Sequence, residues 1–109
     1  MDIRRQVEIL KKSACKSYFS LIDIVDYLGY KCFSFSPKEK TAKIMFAVDV
    51  RKKYIYVNNY DPFEMHQAIA RAIANVVLYD ETIVVLRFKD DKINERDATI
   101  AEFADILLS

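Results

Sequence analysis

Several things are scarce in this chain of 109 residues, and each scarcity removes a class of function. Only two cysteines are present, Cys15 and Cys32, and they lack Cys-x-x-Cys spacing, so they read as buried thiols rather than as a disulfide or a metal pair. There is one histidine, His66, and no second imidazole that could join it on a metal. It reads as a surface residue in the second turn of a helix. The single glycine, Gly29, follows an apolar helical pattern and marks a helix stop. Nowhere do about 18 apolar residues run together, as a membrane helix requires. The start, MDIRRQVEILKK, has arginines but no apolar core or cleavage site of a leader. The expectation is a soluble, cytoplasmic protein with no membrane partner. Charge of one sign is also missing: 17 Lys plus Arg stand against 16 Asp plus Glu, so no overall field recruits nucleic acid.

Apolar residues are plentiful, and they are patterned. At 52% of the chain they suffice for one core, and no repeat, linker or low-complexity segment interrupts residues 1–109, which are read as a single domain. Ile3, Val7, Leu10 and Ala14 recur at helical spacing behind Asp2, a capping residue. A second helix is expected from near Ser17 to Gly29, with Tyr18, Leu21, Ile22, Val25 and Leu28 on one stripe. KCFSFS alternates as a short strand. After PKEKT, a strand from Lys43 to Val50 places Ile44, Phe46, Val48 and Val50 on one face, and KKYIYVNN sets Tyr54 and Tyr56 opposite Ile55 and Val57. Those tyrosines read as packing side chains.

The segment DPFEMHQAIARAIANVVLYD opens with Asp61 as N-cap, Pro62 at the first helical position and Glu64 in capping-box position. Its apolar stripe is Met65, Ile69, Ala72, Ile73, Val76 and Val77, while Gln67, Arg71 and Asn75 step by four along another face. TIVVLRF reads as a buried strand. Asn94 is placed to cap a last helix that turns Ile100, Phe103, Ala104 and Leu107 inward. The expected fold is α+β: two N-terminal helices, a three-strand antiparallel meander, a long central helix, one further strand and a C-terminal helix.

IYVNN, ARAIANVVLY and DATIAEFADILL, in this order, make most of the chain resemble the ImmA/IrrE family of zinc peptidases. The resemblance implies a zincin-like domain in which the central helix carries His-Glu-x-x-His. Carried over by position, the first zinc histidine falls on Arg71, the glutamate base on Ala72, the second histidine on Asn75, and the acidic ligand near Asp97. A guanidinium stays protonated and cannot coordinate zinc, an amide oxygen is a weak ligand, and alanine cannot take a proton from water. No metal or other cofactor is expected. Either Arg71 and Asp97 form an ion pair beside Asn75 in place of the metal, or Arg71 and Asn75 face solvent.

Three functions of different classes remain open. The first is a catalytically inactive relative that binds another protein, in the way suggested by family members that cleave helix-turn-helix repressors of prophages and other mobile genetic elements. Its cleft would lie between the Arg71 and Asn75 face and the strand ending at Val57, Asn58 and Asn59, with unpaired backbone groups there to accept a partner's strand. The second is a hydrolase or nuclease using Asp90, Asp91, Asp97 and Glu102, with a magnesium ion. The third, a nucleic-acid-binding module, would use Lys38, Lys40, Lys43, Arg51, Lys52 and Lys53 at the hairpin ends.

Overall fold

Asp61 begins the element around which everything else is arranged. Its Oδ1 accepts from the amides of Phe63 at 2.8 Å and Glu64 at 3.0 Å, and Pro62 occupies a first-turn position where an amide hydrogen is not needed. The helix so started is the long central helix of a computed structural model that describes residues 2–39, 41, 43–79, 84–88 and 95–109. The elements, in chain order, are α1 (Ile3–Ala14), α2 (Leu21–Tyr27), β1 (Lys31–Phe35), β2 (Ile44–Asp49), β3 (Tyr54–Asn58), α3 (Pro62–Leu78), β4 (Val84–Phe88) and α4 (Glu95–Leu108). The fold is α+β, and no helix among the described residues is long and apolar enough to cross a membrane.

The four strands form one mixed sheet in the order β1-β3-β2-β4. Here the expected meander needs correction. β2 and β3 are antiparallel neighbours, joined by a tight turn in which Asp49 Oδ1 accepts from Lys52 N and Lys53 takes a φ of 60°. β1, however, runs parallel to β3 and does not touch β2. Connection length is the reason. Phe35 and Ile44 are separated by more residues than a hairpin loop uses, so β2 need not pair with β1 and β3 takes the place between them.

The second correction concerns α2. Ser20 caps its start by accepting from Asp23 N, so the helix begins at Leu21 rather than near Ser17. Only Leu21, Ile24 and Val25 are buried in it, while Tyr18 is 75% exposed and Ile22 50% exposed. The stop came where expected, at Gly29 with a φ of 80°.

Helix α3 lies between the sheet and α4, packed on β2 and β3 on one side and on α4 on the other. Ala68, Ala70, Ala72 and Ala74 are all buried, because small side chains let both layers approach its backbone closely. From α4, Ile100, Phe103, Ala104 and Leu107 enter the same core, which also takes Phe46, Val48, Ile55 and Val57 from the sheet. On the opposite sheet face Phe33, Tyr54 and Tyr56 pack against one another, with ring centres 5.0 to 6.1 Å apart, so the tyrosines act as cross-strand packing groups.

Candidate binding cleft

Three polar side chains of α3, Glu64, Gln67 and Arg71, are spaced by three and four residues and therefore share one face. That face looks across a cleft of about 320 Å³ at Met45 of β2 and Asn58 of β3, with Phe63 at the rim. Strict alternation would turn Met45 away from its neighbour Phe46, which points into the core. The β2 to β4 register slips between Ile44 and Phe46, and such a bulge re-aims the side chain it contains. Met45 accordingly packs against the core side and brings Sδ to 3.9 Å from Arg71 Nη1.

The asparagines that end β3 have separate duties. Asn58 is 4% exposed; its Nδ2 donates to Ile44 O at 3.0 Å, tying down the start of β2, and its Oδ1 accepts from Tyr60 N at 2.8 Å. Asn59 works on the other neighbour, donating from its backbone to Phe35 O at 3.0 Å and from Nδ2 to Ser36 Oγ at 3.4 Å. This overturns the expectation of unpaired backbone at the end of β3: that strand is flanked by β1 and β2, and the sheet edges are β1 and β4. Asn58 lines the cleft and Asn59 stands outside it.

Arg71 and Asn75 share a helix face yet meet different surroundings. The Arg71 side chain is half-buried, and its Nε is fully buried with no acceptor among the described residues, a situation that costs about 1–3 kcal/mol. Asn75 is 1% exposed, and an arginine does reach it, but from α4: Arg96 Nη2 donates to Asn75 Oδ1 at 3.2 Å while its guanidinium lies 4.2 Å from the Tyr79 ring centre. The expected Arg71 to Asp97 ion pair is not among the contacts of the described residues. Nor do Arg71 and Asn75 simply face solvent. Asp97 is half-buried next to Arg96, at the start of the helix that contacts Asn75.

Zinc does not fit this donor set. Arg71 brings a permanent positive charge, the Asn75 oxygen is engaged by a second cation, and Ala72 is fully buried with no proton acceptor.

The remaining candidates disperse. His66 is exposed, as expected. Asp90 and Asp91 lie outside the described residues; Asp97 and Glu102 are five positions apart on α4, which rotates them about 140° from each other, and Glu102 is exposed. Arg51, Lys52 and Lys53 are exposed on the β2–β3 turn, whereas Lys38 and Lys43 belong to the connection at the other end of the sheet. A five-residue strand separates the two groups by roughly 16 Å, so they make two small patches rather than one. Lys40 lies outside the described residues. Cys15 and Cys32 are free and half-buried; Cys15 Sγ contacts Ser20 O at 3.6 Å, and burial pushes the Cys32 thiol up.

Sequence reasoning missed Met45, Phe63 and Arg96 as members of this region. The Gln67-Arg71-Asn75 stepping pointed to the right helix face, but a bulge and a contact between helices leave no local pattern to read. No family model, no curated protein and no solved structure matches this chain.

Proposed function

We propose that this chain is a catalytically inactive, zincin-like relative of the metallopeptidases that acts by binding another protein in the cleft beside Arg71. The observation that carries this reading is the half-buried guanidinium of Arg71, held only by a long contact to the Met45 sulfur, on the wall of a cleft of about 320 Å³. An enclosed, permanently charged fork held there at a cost in stability is what a recognition site requires. The chemistry of positions 71, 72 and 75 supports binding over peptide hydrolysis, since ligand, base and ligand are replaced by guanidinium, methyl and carboxamide. By the resemblance, the partner class is a cytoplasmic protein such as a helix-turn-helix repressor of a prophage or other mobile genetic element.

Affinity capture with the tagged parent and with Arg71→Ala tests the reading. Because Arg71 reaches its neighbours by one long sulfur contact, the variant should melt within a few degrees of the parent yet retain the partner about tenfold to a hundredfold less well. Full retention by Arg71→Ala, with release by changes at Lys52 and Lys53, would move the interaction to the β2–β3 turn and sink the proposal.

A further inference from the structure

We infer that the cleft is a receptor for a single carboxylate carried beside an apolar group, an assignment that rests on the binding reading and names the chemistry of the occupant. The guanidinium of Arg71 offers five donors in a rigid plane. Nη1 meets the thioether of Met45, a weak acceptor, while Nε is buried away from the cleft without an acceptor among the described residues, so the end of the plane formed by the terminal nitrogens is the part left to a ligand. A half-buried charge whose terminal nitrogens make only that weak contact matches an anion that can take two parallel N–H bonds at the end of the guanidinium plane, and a carboxylate has that shape. The rest of the lining completes the picture. Asn58 has its amide engaged with Ile44 and Tyr60, so it supplies a wall rather than the recognising donor. Met45 and Phe63 provide apolar surface, and Phe63 is 72% exposed, which is unfavourable until a ligand covers it.

Charge number and size narrow the class further. Glu64 lies seven residues before Arg71 on the same helix face, about 10 Å along the axis. The one cationic side chain among the described residues of the lining, Arg71, matches a single negative charge, and the Glu64 carboxylate at the other end gives a second one nothing to pair with, so a monoanion is favoured over a dianionic phosphate. At roughly 30 Å³ per water-sized group, the volume holds on the order of ten non-hydrogen atoms, the size of an aryl acid or of the side chains, without the backbone, of one acidic residue and an apolar neighbour.

The test follows the Arg71 Nε–Hε resonance in proton–nitrogen correlation spectra of the full chain, assigned with Arg71→Lys. Titrated with 3-phenylpropionate, that resonance should shift and saturate. Both 3-phenylpropionamide and phenyl phosphate should bind about tenfold or more weakly, and Arg71→Lys should lose about tenfold for the acid. Acetyl-Phe-Asp-amide and acetyl-Asp-Phe with a free carboxyl end separate the two peptide sources, an internal acidic side chain and a chain terminus; tighter binding of either than of phenylpropionate supports the assignment. Equal affinity for acid and amide, or an unmoved Arg71 resonance in the folded parent, overturns it, and the first comparison needs no variant at all. The two readings fail separately. If carboxylates do not bind but Arg71→Ala still releases the captured partner, the ligand chemistry is wrong and protein binding stands. If carboxylates bind at Arg71 and the partner ignores Arg71→Ala, the receptor stands and the protein-binding reading falls.

Discussion

Arg96 Nη2 donates to Asn75 Oδ1 across 3.2 Å, while the same guanidinium lies 4.2 Å from the centre of the Tyr79 ring. One side chain of α4 thus holds two positions one turn apart on α3. The bond involves a charged donor and a buried acceptor, a combination worth about 1.5–3 kcal/mol, and the ring contact adds about 0.5–1 kcal/mol. Arg96→Ala should therefore lower stability by roughly 2–4 kcal/mol in denaturant unfolding. Arg96→Lys should recover part of the loss through the ring contact alone. A change within about 0.5 kcal/mol for Arg96→Ala would mean that the contact is not formed in solution.

The end of β3 makes a contrasting prediction for two adjacent, identical residues. Asn58→Ala removes two hydrogen bonds from a buried site, to Ile44 O and from Tyr60 N, so a loss of about 2–4 kcal/mol is expected. Asn59→Ala removes one exposed side-chain contact to Ser36 and keeps the backbone bond to Phe35, so its loss should stay below about 1 kcal/mol. Thermal melts of the two variants decide it, and equal effects would contradict the separate roles assigned here.

These asparagines also show where sequence reading reached and where it stopped. IYVNN announced the strand and its end, because alternation and a terminal Asn pair are local signals. Which strands the two amides would tie was not local, since it depends on β1 lying beside β3, a choice made by the long connection after Phe35. The same division runs through α3 and α4. Asp61 and Pro62 marked the helix start, and the spacing of Ile100, Phe103, Ala104 and Leu107 marked the buried face of α4. Asn75, in contrast, is a polar residue that reads as surface until α4 closes over it and supplies Arg96. Tyr18 and Ile22 erred the other way: they fit an apolar helical stripe, but the Ser20 cap starts the helix too late to bury them.

Cys32 gives a pH-dependent prediction. Burial raises its thiol pKa, so the folded state holds the proton more tightly than the unfolded state. The resulting stability is fully present below the unfolded thiol value of about 8.5 and is lost as pH rises through the raised folded value. Alkylation of Cys32 near pH 7.5 should be slower than that of a free thiol, and Cys32→Ala should flatten the fall of stability above about pH 8.5. Rapid alkylation of the folded protein at pH 7.5 would contradict this burial.

The family resemblance has its own test. Arg71→His with Asn75→His installs the i and i+4 imidazole pair and frees Arg96 from Asn75, next to Asp97 at the start of α4. Ala72→Glu is left out because that position is fully buried among apolar residues. The double variant should take up about one zinc per chain and gain roughly 2–3 kcal/mol of stability when zinc is about a hundredfold above its dissociation constant. A folded double variant that holds zinc no more tightly than the parent would remove the main support for a zincin-like site here.

Photo-crosslinking from within the cleft shows most directly whether partners enter it beside Arg71. Phe63 is 72% exposed on the cleft rim, so p-benzoylphenylalanine placed there preserves the wall and reports what covers it. The same probe at the exposed position Lys52 samples the β2–β3 turn. A defined adduct with the captured partner is expected from position 63, suppressed by Arg71→Ala, and none from position 52. An adduct from position 52 with none from position 63 would contradict binding in the cleft.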